Sequence, residues 1–166
     1  GAESIFQAIT DLYANRIGHG YYMFDDKKIQ DSSIFDKSSY IKSLSNYIAD
    51  RRITIEVCLT SNLQTNPALK DIKEHSLKKM LDYGFSVTLC TDNRLVSNTT
   101  VSREIQLALN HFDITPKKLK DLMIYGFKRS FYWGSYQEKR SYCRKIIDFY
   151  DSVYEKYKNQ ITLNKD

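Results

Sequence analysis

The sequence predicts an α/β protein built on three parallel strands. Segments with the two-residue alternation of a strand are interleaved with segments carrying a helical apolar stripe. Strands separated by helices need crossover connections, and crossovers make a parallel sheet. Three chemistry-bearing blocks, Arg16-Ile-Gly-His-Gly20, Glu56-Val-Cys-Leu-Thr-Ser-Asn62 and Thr91-Asp92-Asn93, each stand at the end of a strand-like segment. In parallel α/β folds the carboxyl ends of strands are where working residues gather.

The elements follow in order. Ile5, Ile9 and Leu12 recur at helical spacing and predict an opening helix. Arg16 to His19 reads as a short strand that breaks at glycine, and Ile41, Leu44 and Ile48 mark one face of a second helix. Ile53, Ile55, Val57 and Leu59 alternate with Thr54, Glu56 and Cys58, the period of a strand with two unlike faces. A loop is expected from Thr60 to about Ala68, with Asn66-Pro67 as its turn signal. Ser76 to Tyr83 reads as a short helix with Leu77, Met80 and Leu81 inward and Gly84 as its cap. In the third strand Phe85, Val87 and Leu89 share one face, and Ser86, Thr88, Cys90 and Asp92 share the other. Helices are then expected from near Ser102, with Ile105, Leu109 and Phe112 as the stripe, and after Thr115-Pro116, an N-cap residue followed by proline. Ser135-Tyr-Gln-Glu138 is a capping box for a last long helix striped by Ile146, Tyr150, Val153 and Tyr157.

Composition bounds the possibilities. The chain has 166 residues, 42% of them hydrophobic, and only two prolines, which is the size and character of one domain without a linker. Its formal charge of +5 comes from cations scattered among twenty acids rather than from a basic stripe, which argues against a nucleic-acid partner. Three cysteines without paired spacing suit a reducing, cytoplasmic compartment better than a disulfide framework. No apolar run approaches the roughly 18 residues that span a bilayer, so no membrane partner is expected. The chain opens at Gly1 rather than Met, which predicts that something precedes it.

Three strands are too few to cover or close a parallel sheet. The faces carrying Thr54, Glu56 and Cys58, and Ser86, Thr88 and Cys90, read as positions pointing into a barrel whose other strands lie elsewhere. Taken alone, Asp92 is a turn acid as readily as a ligand, and His19 a structural hydrogen-bonder as readily as a catalyst. Cys58 and Cys90 read as small buried strand residues, and His75 and His111 as surface or packing residues away from the blocks. Trp133 reads as part of a packing corner, and Ser61 and Asn62 as turn residues that could brace a site.

The order and spacing of Gly1-Ala-Glu-Ser, Arg16-Ile-Gly-His-Gly20, Ile55-Glu-Val-Cys-Leu-Thr-Ser-Asn-Leu-Gln-Thr65, Thr91-Asp92-Asn93 and Tyr125-Gly-Phe-Lys-Arg-Ser-Phe131 resemble the C-terminal half of the adenosine deaminases. The likeness runs from residue 1 to about 157. It implies residues 1–166 to be an incomplete metal-dependent deaminase domain: the last part of a (β/α)8 barrel, with about three parallel strands (the sixth to eighth), surrounding helices and a helical C-terminus. It implies one Zn2+ ion, a purine nucleoside substrate, and hydrolysis of adenosine, or deoxyadenosine, with release of ammonia. Asp92 matches the family's carboxylate metal ligand, and His19 the catalytic histidine beside the metal-bound water. Asn93 stands where many relatives place a second aspartate that bonds purine N7; N7 accepts, and an asparagine amide donates at any pH. Arg94 replaces a frequent proline, and Glu3 matches a helix position without a catalytic role.

The remaining ligands implied by the resemblance, an His-x-His pair and the histidine of an His-Ala-Gly-Glu block that also carries the proton-shuttling glutamate, do not occur in this chain. They are expected upstream of Gly1, in a missing N-terminal half of the barrel that would be the chain's partner. One carboxylate does not hold a catalytic zinc, so the chain alone is expected neither to bind zinc tightly nor to deaminate. The alternative is a non-catalytic module that holds a purine or serves as a scaffold.

Overall fold

β1 (Arg16–Gly18), β2 (Thr54–Val57) and β3 (Ser86–Leu89) pair in parallel, in the order β1-β2-β3, in the computed structural model, which describes residues 1–162. The register aligns Ile17 with Ile55 and Ile55 with Val87, and Gly18 with Glu56 and Glu56 with Thr88. Side chains alternate across a strand, so one face of this sheet is aliphatic and the other is polar or small. Seven α-helices surround it among the described residues: α1 (Ala2–Thr10), α2 (Lys37–Arg51), α3 (Leu59–Thr65), α4 (Leu77–Asp82), α5 (Val101–His111), α6 (Pro116–Lys128) and α7 (Tyr136–Thr162). The sheet is open, as part of a barrel would be.

One core forms on the aliphatic face, where Ile17, Ile55 and Val87 join Ile5 and Ile9 of α1, Leu44 and Ile48 of α2, and Leu77 and Met80 of α4. These are the apolar stripes of three helices laid on the one sheet face that cannot be left wet. The helix signals act as their chemistry requires. Thr115 accepts from Lys118 N at the start of α6, Ser135 and Glu138 exchange the two bonds of a capping box, and Gly84 takes φ +70° just beyond α4.

The polar face is buried too. Thr54, Ser86 and Thr88 are buried while Glu56 stays partly exposed, and α6 packs against β3 on that side. Gly126 makes the approach possible, since a Cβ there would stand 2.9 Å from Thr88 Oγ1. Arg16 then ties the end of α6 to the sheet, donating from Nη1 to Arg129 O at 2.9 Å and pairing with Glu56 at 2.6 Å. Positions expected to face a barrel interior are therefore covered by the chain's own helix, because small polar side chains opposite a glycine leave room for a helix backbone.

Several expectations fail at element ends. The segment from Thr60 is not a loop, since α3 occupies Leu59–Thr65. α1 stops at Thr10 and leaves Leu12 77% exposed, while Trp133 is 89% exposed rather than a packing corner. Val153 and Tyr157 also stay largely exposed on α7, which meets α6 through Lys120–Asp151 at 2.6 Å and the ring contact of Phe127 with Tyr142. Among the described residues, no helix is long and apolar enough to cross a membrane. Gly126→Val should lower stability by about 1–3 kcal/mol through overpacking against Thr88, measured as a lower urea midpoint with an unchanged slope.

Candidate active site

The parallel ladder runs one residue beyond each strand and delivers the site. His19 N donates to Glu56 O at 2.8 Å, and Cys90 N donates to Val57 O at 2.8 Å. Past those bonds the chain turns sharply. His19 (φ 59°) and Gly20 (φ 58°) are both left-handed, and so is Asp92 (φ 52°). Histidine and aspartate adopt this region at an energetic cost, and such residues concentrate at functional sites. Gly20 is doubly constrained, since a Cβ would meet Ile55 Cγ2 at 3.0 Å in addition to the positive φ.

The turns bring His19 and Asp92 together, with Nε2 of the histidine 4.0 Å from Oδ2 of the aspartate and each side chain 42% exposed. Both border an open cleft of about 540 Å³ that also includes Ile5, Tyr21, Ser61 and Asn62. Ser61 Oγ donates to Asp92 Oδ2 at 2.5 Å. That bond, with the Asn93 backbone and the nearby His19, holds the Asp92 carboxyl below its usual range. Asn62 reaches both ways, with Nδ2 3.1 Å from His19 Nδ1 and Oδ1 3.0 Å from His75 Nε2.

Asn93 stands outside that group and off the cleft wall. Its Oδ1 accepts from Leu95 N and Val96 N, both at 3.1 Å, and its amide nitrogen has no partner among the described residues. Glu3 accepts from Gln30 N and Asp31 N and so braces a loop.

Two residues had no signal in the sequence pattern. His75, read as a surface or packing residue apart from the blocks, is 1% exposed and bonded into them. Glu104 is fully buried and accepts from Thr60 N at 3.1 Å, from Thr60 Oγ1 and from Thr99 Oγ1 at 2.8 Å. α3 lacks a local side-chain cap, so this distant carboxylate serves its first turn instead.

A catalytic metal needs several donors converging on one point. Among the described residues, no three His, Cys, Asp or Glu side chains converge. Burial pushes the Cys58 thiol up to about 12 and raises Cys90 as well, so neither favours the thiolate a metal needs. Asp92 with His19 beside it suits one side of a metal site. By themselves these residues do not fit a zinc ion, which takes three protein ligands and an open position in a hydrolytic site.

Burial also lowers His75 from 6.5 to about 4, with His19 contributing. The unfolded chain then binds the extra proton between those values, so stability rises with pH across that interval. Acidification from pH 7 to about 4 should remove ~3 kcal/mol through this residue, and His75→Gln should flatten that part of a urea-midpoint profile.

Residues 1–149 match the family model described as "Adenosine deaminase". The chain is 36% identical over 131 residues to an adenosine deaminase of Aliivibrio fischeri, covering 79% of this chain and 34% of that protein. It therefore spans about a third of the length of the curated relatives it matches. An adenine deaminase from Arthrobacter aurescens superimposes with a TM-score of 0.69 at 18% identity, over 90% of this chain and 40% of that one. An amidohydrolase from Burkholderia ambifaria solved with bound Zn does so with a TM-score of 0.66 at 21% identity, over 92% and 38%. At those identities the two structures speak to the fold, and the match along residues 1–149 speaks to ancestry: the chain belongs to the adenosine deaminase family.

Proposed function

We propose that residues 1–166 form one sector of a zinc-dependent adenosine deaminase barrel, and that the complete protein hydrolyses adenosine to inosine and ammonia. The observation that carries this reading is the meeting of His19 and Asp92 at 4.0 Å beyond the carboxyl ends of β1 and β3. Further support comes from the family match and from the bound zinc of the Burkholderia amidohydrolase.

In this reading Asp92 is one metal ligand, and the others come from strands that this chain does not contain. Zinc in such a site supplies a bound water of lowered pKa, about 7 in hydrolytic enzymes. The chain's own residues have separable tasks. Ser61 lowers the Asp92 pKa and occupies one lone pair of Oδ2, which fixes the carboxylate's orientation. His19 presents Nε2 on the Asp92 side, where it holds the attacking oxygen by hydrogen bonding. Asn93 lies off the cleft wall with its Oδ1 committed to its own turn, and it is the family resemblance rather than the geometry that gives its amide N–H the task of meeting the acceptor nitrogen N7 of the purine.

A second reading, a non-catalytic purine-binding or scaffold module, is favoured by the lack of a three-ligand group among the described residues. Ammonia release and zinc content separate the two. The 166-residue chain alone should release no ammonia from adenosine above a metal-free blank and hold well under one zinc. The full-length gene product should deaminate, lose its zinc with Asp92→Ala, and lose about 10²–10⁴ in kcat with His19→Ala. Full-length protein that is inactive with zinc supplied, or Asp92→Ala protein that keeps both metal and rate, would overturn the catalytic reading.

A further inference from the structure

We propose that His75 is a positioning residue for His19: acting through Asn62, it fixes the His19 imidazole as the Nε2–H tautomer, with Nδ1 held as a hydrogen-bond acceptor. A backbone N–H is a donor whose identity is not in question. Leu77 backbone N–H points at His75 Nδ1 at 2.9 Å, so that nitrogen must carry a lone pair. A histidine with one accepting nitrogen is neutral, and its proton sits on Nε2.

The rest follows by donor and acceptor accounting. His75 Nε2–H faces Asn62 Oδ1 at 3.0 Å, which fixes the amide with its oxygen toward His75 and its NH2 toward His19. Asn62 Nδ2 then donates to His19 Nδ1 at 3.1 Å. The ring proton of neutral His19 is left on Nε2, the edge 4.0 Å from Asp92.

Burial makes the relay one-directional. His75 is 1% exposed, with Tyr21 packed edge-on against its ring at 5.1 Å, and Asn62 is buried as well. Water therefore does not substitute for either partner, and a flipped amide would set Asn62 NH2 against the His75 N–H. His19 is itself 42% exposed on its side chain and is oriented from the buried side. The hydrogen-bond path from His75 to His19 runs through Asn62.

The consequence for chemistry rests on the deaminase reading. Neutral His19 then donates to an oxygen held beside Asp92 and cannot accept a proton at Nε2, so its task is to orient that oxygen. The tautomer itself is measurable without turnover.

The test is long-range 1H–15N correlation on the 166-residue chain labelled at its three histidines, at a pH well above the unperturbed imidazole value of about 6.5. His19 and His75 should both show a protonated Nε2 and a bare Nδ1. His75→Phe should raise the Nδ1–H to Nε2–H ratio of His19 by about fivefold, the effect of losing one neutral hydrogen bond. His75→Gln, whose amide N–H can still reach Asn62 Oδ1, should restore the original ratio. Asn62→Asp supplies only acceptors and should move the His19 proton to Nδ1, which decides the matter if His75→Phe does not fold. A bare Nε2 on either wild-type ring, or a His19 ratio unmoved by Asn62→Asp or by a folded His75→Phe, would sink the relay. An inactive full-length protein would count against the deaminase reading and leave these spectra unchanged.

Discussion

The buried carboxylate of Glu104 is the interaction on which the site geometry depends. A fully buried charge is costly unless its lone pairs are filled, and here they are filled by Thr60 N, Thr60 Oγ1 and Thr99 Oγ1. Glu104 sits in the first turn of α5 and serves the first turn of α3, two places where a negative charge is favoured by the exposed N–H groups. The same carboxylate thus joins α5, α3 and the segment after β3. α3 supplies Ser61 and Asn62, and those two residues hold Asp92 and His19. Without the anchor α3 would have no side-chain cap, and the two braces would have no fixed start.

Beyond that anchor, the site is a division of labour between rigid and strained backbone. The parallel ladder stops at His19 and Cys90, and left-handed residues immediately turn both chains toward each other. Rigid strands set the separation, and the turns aim the side chains. An anion at Asp92 and an imidazole held from its buried side by Asn62 then share one cleft. The arrangement places a charged acceptor and an oriented ring on the same wall.

Much of this was legible from particular residues. The alternation through β2 and β3 marks two unlike faces, and the register aligns Ile17 with the Ile55 and Val87 faces so read. Thr115-Pro116, Ser135 with Glu138, and Gly84 marked helix ends because caps are local chemistry that a few adjacent residues complete. The start of α3 was not legible, because its cap lies 44 positions away in Glu104. His75 was misjudged for the same reason, since its partner Asn62 is set by how α3 and α4 pack and not by any spacing in the chain. Leu12, placed by helical spacing, and Trp133, placed in a packing corner, stay 77% and 89% exposed, because α1 ends before the first and only Tyr132 stacks on the second among the described residues.

By itself, then, the sequence determined the parallel α/β class, the positions of the strand-end blocks and the likeness of those blocks to the adenosine deaminases. Those features rest on periodicity, caps and ordered motifs, all of which are written along the chain. The tertiary structure alone decided that α6 covers the polar face of the sheet, that Ser61 and Asn62 face Asp92 and His19 from a helix, and that buried Glu104 and His75 stand behind them. These are long-range contacts. Their partners are chosen by packing and by the need to satisfy buried polar groups, and neither constraint has a period that a sequence can display.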